Sequence, residues 1–243
     1  VVKYLDTSPI DKKNFSKLRK INGMSTIKLN LKFPLLVDLE AEKINYKSDV
    51  EIYDASIKDF FKGIDLNELF LNLIVNPEEV NYEGKTTFRG SSFFFKGNQY
   101  SKENLILDKI NGNVELNEES IVDLAPGLLN SLSGKIPINF SYSSQDEQKF
   151  KIEGVGELDK FSADSTFLGD ELDFRNGKIR FLVRPYNDKF SGFFDINSSD
   201  VSIEMNFNFN NEKLETLEIS EFRTPIQNFN AKIKNDKILE IFL

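Results

Sequence analysis

The stretch VSIEMNFNFN, Val201–Asn210, carries an apolar residue at every second position and a polar residue at each position between. Its apolar members are Val201, Ile203, Met205, Phe207 and Phe209. Successive residues of an extended chain point to opposite sides, so a period of two is typical of a β-strand with one apolar face. The stretch therefore predicts such a strand, and the first question is what covers the apolar face.

The same alternation recurs along most of the chain. Its clearest further apolar positions are Ile27, Leu29, Leu31 and Phe33; Leu69, Leu71, Leu73 and Val75; Ile136, Ile138 and Phe140; and Ile179, Phe181 and Val183. Dipeptides that commonly close hairpins separate such stretches: Asn22-Gly23, Asn76-Pro77, Gly97-Asn98, Asn111-Gly112 and Asn176-Gly177. Together these patterns predict an antiparallel meander of about a dozen strands.

Two segments predict short helices. Ser8 and Pro9 suit a helix start, and apolar residues at near-helical spacing follow through residues 8–21. Residues 117–133 predict a second helical segment, broken at Pro126-Gly127. The second segment separates two strand-rich modules, residues 22–116 and 134–243. Because no linker composition divides these modules, we expect residues 1–243 to form a single domain.

Composition excludes several function classes. The chain has 243 residues, a net charge of −8 and no His or Cys. The acidic balance disfavours nucleic acid as a partner. Without His or Cys there is no imidazole base, thiol nucleophile or ordinary zinc site, and we predict no metal and no cofactor. Gly154 and Gly156 lack the third glycine of a dinucleotide-binding motif, and they predict a bulge or a close packing contact.

Paired carboxylates leave one enzymatic alternative, a glycan-active enzyme, which needs only two acidic side chains in a cleft. The candidate groups are Asp170, Glu171 and Asp173, and the pair Glu118 and Glu119. Their structural interpretation is a solvated turn for the first group and a helix N-terminus for the second, where carboxylates complement the helix dipole.

The apolar strand faces leave two further readings. In a structural or adhesive β-sandwich, two sheets bury these faces against each other about 10 Å apart. In the other, one curved sheet binds an apolar ligand. About fifteen large apolar side chains facing water would forfeit roughly 20 to 40 kcal/mol, more than the net stability of a domain. A curved sheet must therefore be narrow, covered by its own chain, or filled by a ligand.

A family resemblance favours the second reading. NGMSTIKLNLKFP (Asn22–Pro34) followed by a strand ending in DAS (Asp54–Ser56), DLAPGLLNSLSGKIP (Asp123–Pro137) and RTPIQNFNAKIKN (Arg223–Asn235) carry it. Over roughly residues 20 to 243 the chain resembles the periplasmic region of the AsmA-like family, the group that includes TamB and YhdP, and especially the YhdP-type central domain.

The resemblance implies an elongated, curved, taco-like antiparallel sheet whose hydrophobic groove conducts phospholipids between the inner and outer membranes of a Gram-negative bacterium. The chain would then be an internal, non-enzymatic fragment in the periplasm, anchored to the inner membrane by a segment outside this sequence. Acyl chains would be its partners, and its oligomeric state stays open. The expected lining residues are Ile27, Leu29, Leu31, Phe33, Leu69, Leu71, Leu73, Val75, Ile136, Ile138, Phe140, Ile179, Phe181, Val183, Val201, Ile203, Met205, Phe207 and Phe209.

Overall fold

The computed structural model describes residues 21–34, 45–61, 64–102, 105–124, 131–146, 149–159, 161–165, 169–186, 189–210, 213–234 and 237–242. They are mostly β-strand, arranged as one large antiparallel sheet and a small second sheet, with one short helix among them. The predicted helix over residues 8–21 lies outside the described residues.

The strands are β1 (Ile21–Lys32), β2 (Asn45–Phe61), β3 (Ile64–Val75), β4 (Glu79–Phe88), β5 (Ser91–Lys102), β6 (Leu105–Leu116), β7 (Ser131–Gly134), β8 (Ile136–Asp146), β9 (Lys149–Glu157), β10 (Phe161–Ser165), β11 (Gly169–Asp173), β12 (Lys178–Tyr186), β13 (Lys189–Asn197), β14 (Ser202–Asn210), β15 (Lys213–Arg223), β16 (Asn228–Lys234) and β17 (Lys237–Phe242). The helix α1 is Glu118–Leu124.

The predicted meander is confirmed. The hydrogen-bonded order of the large sheet is β1-β2-β3-β4-β5-β6-β8-β9-β12-β13-β14-β15-β16-β17, so most strands pair with their neighbours in sequence. Strands β7, β10 and β11 leave this order and form the small sheet. Their departure brings β6 beside β8 and β9 beside β12.

Contacts divide the chain into two compact units. The first extends to Phe88 and includes Ser92–Lys96. Within it, Ile27 pairs with Val50, Val50 with Leu73, and Leu73 with Tyr82. Paired residues in an antiparallel sheet share a face, so the alternating apolar positions of β1 to β4 fall on one side of this unit. That residues 1–243 form a single domain stays a prediction.

The second unit comprises Arg89–Ser91 and Gly97–Leu243 and contains a buried core. The core joins large-sheet residues such as Ile138, Ile203 and Phe222 to residues of the small sheet, including Ala163 and Leu172. It includes Phe161 and Phe174, whose rings meet edge to face with centroids 5.1 Å apart. The small sheet is therefore the layer that buries one part of the large sheet's apolar face.

The helical segment predicted over residues 117–133 is only partly correct. Helix α1 occupies Glu118–Leu124, and the Asn117 side chain caps it by accepting a 3.0 Å hydrogen bond from the Ser120 amide. Ser131–Gly134, however, form the strand β7, which pairs with β10 from Phe161 to Asp164. The apolar spacing of this short segment fits either structure, and pairing with β10 decides it.

Three of the predicted hairpin dipeptides are wrong, because Asn22-Gly23, Gly97-Asn98 and Asn111-Gly112 lie inside β1, β5 and β6. Gly23 instead sits at a register shift, where an added Cβ would lie 2.5 Å from the Cβ of Ala55. Gly112 pairs with Phe140 on the neighbouring strand. The register between β6 and β8 is continuous from Asp108 to Leu116, so pairing continues across Gly112.

Two other predicted turns are confirmed, and several turns were missed. The Asn76 amide donates a 2.8 Å hydrogen bond to the Glu79 carbonyl between β3 and β4. Asn176, with φ of 55°, precedes β12 in the second confirmed turn. One of the missed turns is Arg89-Gly90, which connects β4 to β5 with φ values of 47° and 74°.

Candidate functional site

Cross-strand pairing builds three apolar rows on one face of the second unit. The core row is Ile138, Gly156, Ile179, Ile196, Ile203, Phe222 and Phe229. The middle row is Phe140, Gly154, Phe181, Phe194, Met205, Ile219 and Ala231. The outer row is Tyr142, Ile152, Val183, Gly192, Phe207 and Leu217. Side chains in register on one face form a continuous apolar surface.

The core row is covered. Ile138 and Ile203 belong to the buried cluster that includes Leu158 and Phe174. Val201, which precedes β14, is only 1% exposed, and its carbonyl accepts a 2.8 Å hydrogen bond from the Ser198 amide. The first two apolar residues of the opening stretch therefore pack into the protein's own core.

Beyond the middle row the face is no longer covered by that core. We define the open apolar face as eight residues that lie beyond the middle row and belong neither to the core cluster nor to the hydrophobic side chains packed against it: Tyr142, Phe150, Ile152, Val183, Phe190, Phe207, Phe209 and Leu217. Seven of them are half-buried, and Phe190 is 40% exposed. The opening stretch thus runs from the core at Ile203 to the open apolar face at Phe207.

Aromatic ring contacts link members of this face, both within a strand and between strands. The rings of Phe150 and Phe190 have centroids 5.5 Å apart, and those of Tyr142 and Phe150 are stacked with centroids 6.3 Å apart. Phe207 meets Phe209 edge to face with centroids 5.6 Å apart. Phe209 is paired with Phe190 across the β13–β14 ladder. These contacts give the face a preformed aromatic surface.

Glycines set how the rings lie in these rows. A Cβ added at Gly154 would overlap Cζ of Phe181 and lie 2.5 Å from its Cε1. One added at Gly192 would lie 2.5 Å from Cζ of Phe207. Each ring therefore occupies the space over a neighbouring glycine. The prediction of a close packing contact for Gly154 and Gly156 is confirmed, since a Cβ at Gly156 would lie 2.6 Å from Cγ2 of Ile179.

The opposite face of the same strands is largely polar. Arg180 pairs with Asp195 across β12 and β13, and its Nε donates a 2.6 Å hydrogen bond to Oδ2 of that carboxylate. Asn206 is exposed, whereas Asn208 is half-buried and donates a 2.7 Å hydrogen bond to Thr216. The two faces of the large sheet thus differ in chemistry along β8, β9, β12, β13, β14 and β15.

In the first unit the predicted lining residues fall in two environments. On β1 they are exposed, with Ile27 at 48%, Leu29 at 57% and Leu31 at 52% of their surface accessible, and Phe33 just after the strand at 46%. On β3, Leu69 is buried. Its companions Leu71, Leu73 and Val75 are half-buried.

In the second unit the predicted residues divide between the core and the open face. Ile136, Ile138, Val201 and Ile203 lie in or at the core. Phe140, Ile179, Phe181 and Met205 are half-buried between the two. Val183, Phe207 and Phe209 belong to the open apolar face.

Sequence reasoning missed five members of the open apolar face: Tyr142, Phe150, Ile152, Phe190 and Leu217. In the middle row it missed Phe194, Ile219 and Ala231. Tyr142 and Ile152 do follow the alternation of their strands, so a stricter use of period two would have found them. Phe194 could not be found in this way, because Phe193 stands beside it and the pairing with Met205 decides which ring faces the apolar side.

The two groups of candidate carboxylates lie on different elements, α1 and β11. Glu118 and Glu119 are exposed in the first turn of α1, as their structural interpretation predicts. Asp170, Glu171 and Asp173 lie on the strand β11, where a turn was predicted, and their side chains are outside the described set. Among the described residues no group of acidic side chains could hold a metal ion.

Comparison of the chain with models of known protein families, with curated proteins and with solved structures found no match. Within the described part of the chain, no helix is long and apolar enough to cross a membrane.

Proposed function

We propose that the open apolar face of the second unit binds the acyl chains of phospholipids. In this proposal the chain is a segment of an AsmA-like protein of the Gram-negative cell envelope. Its sheet forms a taco-like groove that conducts phospholipid between the inner and outer membranes. The observation that carries the proposal is the set of half-buried apolar side chains in register from β8 to β15, beyond the limit of the core.

The energetics of apolar surface support a bound guest. Contiguous apolar patches on soluble proteins mark binding surfaces, because each Å² of apolar area removed from water contributes about 25 cal/mol. Phe207, Phe209 and Phe190 are large and mutually adjacent, and Phe190 alone keeps 40% of its surface accessible. An acyl chain lying over these rings would remove that area from water.

The mechanism is physical and needs no catalytic group. An acyl chain makes no directional bonds, so it can slide along rows of side chains that repeat at the strand spacing of about 4.8 Å. A polar headgroup would stay at the edge of the apolar rows, where water remains accessible. No covalent bond forms or breaks, and the proposed protein is therefore a conduit and uses no cofactor.

The test is lipid binding by the purified chain and by a matched pair of variants. Native mass spectrometry measures co-purifying phospholipid, and a dansyl-labelled long-chain fatty acid reports binding by fluorescence. Phe207→Glu places a charge on the open apolar face, whereas Asn206→Glu places the same charge on the adjacent, exposed position of the opposite face. We expect Phe207→Glu to lower fatty-acid affinity by at least tenfold, and Asn206→Glu to leave it within twofold.

Far-UV circular dichroism must show both variants folded, since a loss of binding through unfolding carries no information about the face. If the folded Phe207→Glu variant binds the fatty acid as well as the parent chain does, the acyl chain does not lie on this face. If the parent chain neither carries phospholipid nor binds the fatty acid, the proposal fails as a whole.

A further inference from the structure

A cavity of about 620 Å³ lies at the ends of β6, β8, β9 and β12, and its lining is rich in cations. Lys109, Lys149, Lys151 and Arg184 all line it, against one lining carboxylate, Asp108. This local excess opposes the net charge of −8 on the whole chain. The volume is in the range of cavities that bind small molecules.

The register explains why these cations meet. Lys109 pairs with Ser143, and Ser143 pairs with Lys151, so the three lie in one cross-strand row on the polar face. The next ladder pairs Val183 with Ile152, which places Arg184 beside Lys151 on that same face. Strands β6, β9 and β12 thus direct cationic side chains to one place, and Ser143 of β8 lies between Lys109 and Lys151.

The charges of this row are only partly neutralised. Lys151 Nζ lies 2.6 Å from Oε2 of Glu153. Its hydrogen bond lowers the pKa of that carboxyl, with a further hydrogen bond from Ser141 acting in the same direction. Within the described part of the chain, neither Lys109 nor Arg184 has a carboxylate within ion-pair distance. The cavity therefore offers a guanidinium and an ammonium that no described acidic side chain neutralises.

We propose that this cavity binds a phosphate-type anion, either a phosphate monoester or a phosphodiester. The planar guanidinium of Arg184 suits bidentate hydrogen bonding to two phosphate oxygens. Lys109 and Lys151 supply point charges, and the Ser143 hydroxyl supplies a further donor. Phosphate is favoured over a metal cation because every charged member of the row is positive, apart from the Glu153 partner of Lys151.

The cavity adjoins the open apolar face through a shared residue. Phe150 lines the cavity, and its ring contacts those of Tyr142 and Phe190 on the apolar side. A molecule that joins an anion to an acyl chain could therefore occupy both places across the strand ends. This identification of the anion as a phospholipid headgroup rests on the proposed function, whereas the anion site itself does not.

The experiment uses the full chain, two probes and charge-matched double variants. Inorganic phosphate binding is measured by isothermal titration calorimetry at low ionic strength, where exposed charges are least screened. Vesicle binding is measured by flotation with phosphatidylcholine vesicles, with and without phosphatidylglycerol. Lys109→Gln with Arg184→Gln removes two cavity charges, and Lys178→Gln with Lys232→Gln removes two exposed charges elsewhere on the same face.

We expect the cavity double variant to lose phosphate affinity by at least tenfold and the control double variant by less than twofold. Glu153→Gln should raise the affinity two- to fivefold, because it releases Lys151 from its ion pair. If both double variants lose affinity equally, the binding reflects diffuse charge and the site is refuted. The site is also refuted if the parent chain binds neither phosphate nor anionic vesicles.

The two sources of the anion give different outcomes. A headgroup site predicts that phosphatidylglycerol vesicles bind the parent chain, that inorganic phosphate competes, and that the cavity double variant loses vesicle binding. A site for a soluble phosphate compound predicts phosphate binding without vesicle binding, which supports the cavity and removes the link to lipid. The two sites can be tested separately: if Phe207→Glu loses fatty-acid binding but keeps phosphate binding, the anion site does not depend on the open apolar face.

Discussion

The packing of Phe181 over Gly154 predicts that Gly154→Ala destabilises the parent chain but not a Phe181→Ala variant. In Gly154→Ala the new Cβ would overlap Cζ of the Phe181 ring and lie 2.5 Å from its Cε1, so the ring must move by about 1 Å to reach ordinary contact distance. Forcing extra atoms into a packed site typically costs about 1 to 3 kcal/mol. We therefore expect Gly154→Ala alone to lower the free energy of unfolding by about 2 kcal/mol.

In a Phe181→Ala background the clash is gone. Glycine inside a strand is less favourable than alanine by roughly 0.5 to 1 kcal/mol, because it loses more backbone entropy on folding. The remaining contact, 3.2 Å from the new Cβ to the Asn139 carbonyl oxygen, offsets part of that gain. Gly154→Ala should then be neutral or slightly stabilising, which gives a coupling energy of about 2 kcal/mol between the two sites.

Urea unfolding followed by far-UV circular dichroism measures this cycle, since the chain has no Trp to serve as a fluorescent probe. With a urea dependence of about 2 kcal/mol per M, the single variant should shift the midpoint by about 1 M. Equal costs for Gly154→Ala in both backgrounds would falsify the packing argument.

A second glycine provides the control. At Gly192 an added Cβ would overlap the Leu182 carbonyl oxygen as well as lying 2.5 Å from Cζ of Phe207. Removing the ring leaves the backbone clash in place. Phe207→Ala should therefore fail to rescue Gly192→Ala, and a rescue as complete as that at Gly154 would contradict the assigned contacts.

Three further variants test other parts of the fold, each by the urea midpoint. Ile203→Glu buries a charge at a position that is only 7% exposed, which should cost several kcal/mol and unfold the chain. Phe207→Glu changes a half-buried position, so it should cost about 2 kcal/mol and leave the chain folded. Equal effects of the two substitutions would mean that the boundary of the core is misplaced. Arg180→Ala leaves the mostly buried Asp195 carboxylate without its 2.6 Å hydrogen bond and should lower the free energy of unfolding by about 1 kcal/mol. An unchanged urea midpoint would show that the pair contributes nothing to stability. Gly90→Ala forces a Cβ into a turn with φ of 74° and should cost about 1 kcal/mol, and a stabilised variant would exclude that turn geometry.

The candidate anion site shows a limit of sequence reasoning. Lys109, Lys151 and Arg184 are separated by tens of residues, and each is an ordinary solvent-facing member of an alternating strand. Only the departure of β7, β10 and β11 brings β6, β8, β9 and β12 together, and that departure left no signal in the local pattern. Charge clusters formed across strands depend on strand order and register, which local alternation does not fix.

The open apolar face was predictable in part. Alternation alone identified Val183, Phe207 and Phe209, because a period of two assigns each residue to a face before any neighbour is known. Alternation does not indicate how far along each strand the small sheet covers the apolar face. Alternation assigns Val201 and Phe207 to the same apolar face, although the first is buried in the core and the second is not.

By itself the sequence determined the mostly β class, the meander and the two-faced character of each strand, since these follow from local periodicity and turn residues. The tertiary structure decided which glycines are turns and which are packing sites, because a glycine ends a strand only if no neighbouring strand continues past it. It also decided where the covered core gives way to the open apolar face. That boundary depends on contacts between β8 or β14 and the distant strands β10 and β11, and such contacts belong to the folded chain as a whole.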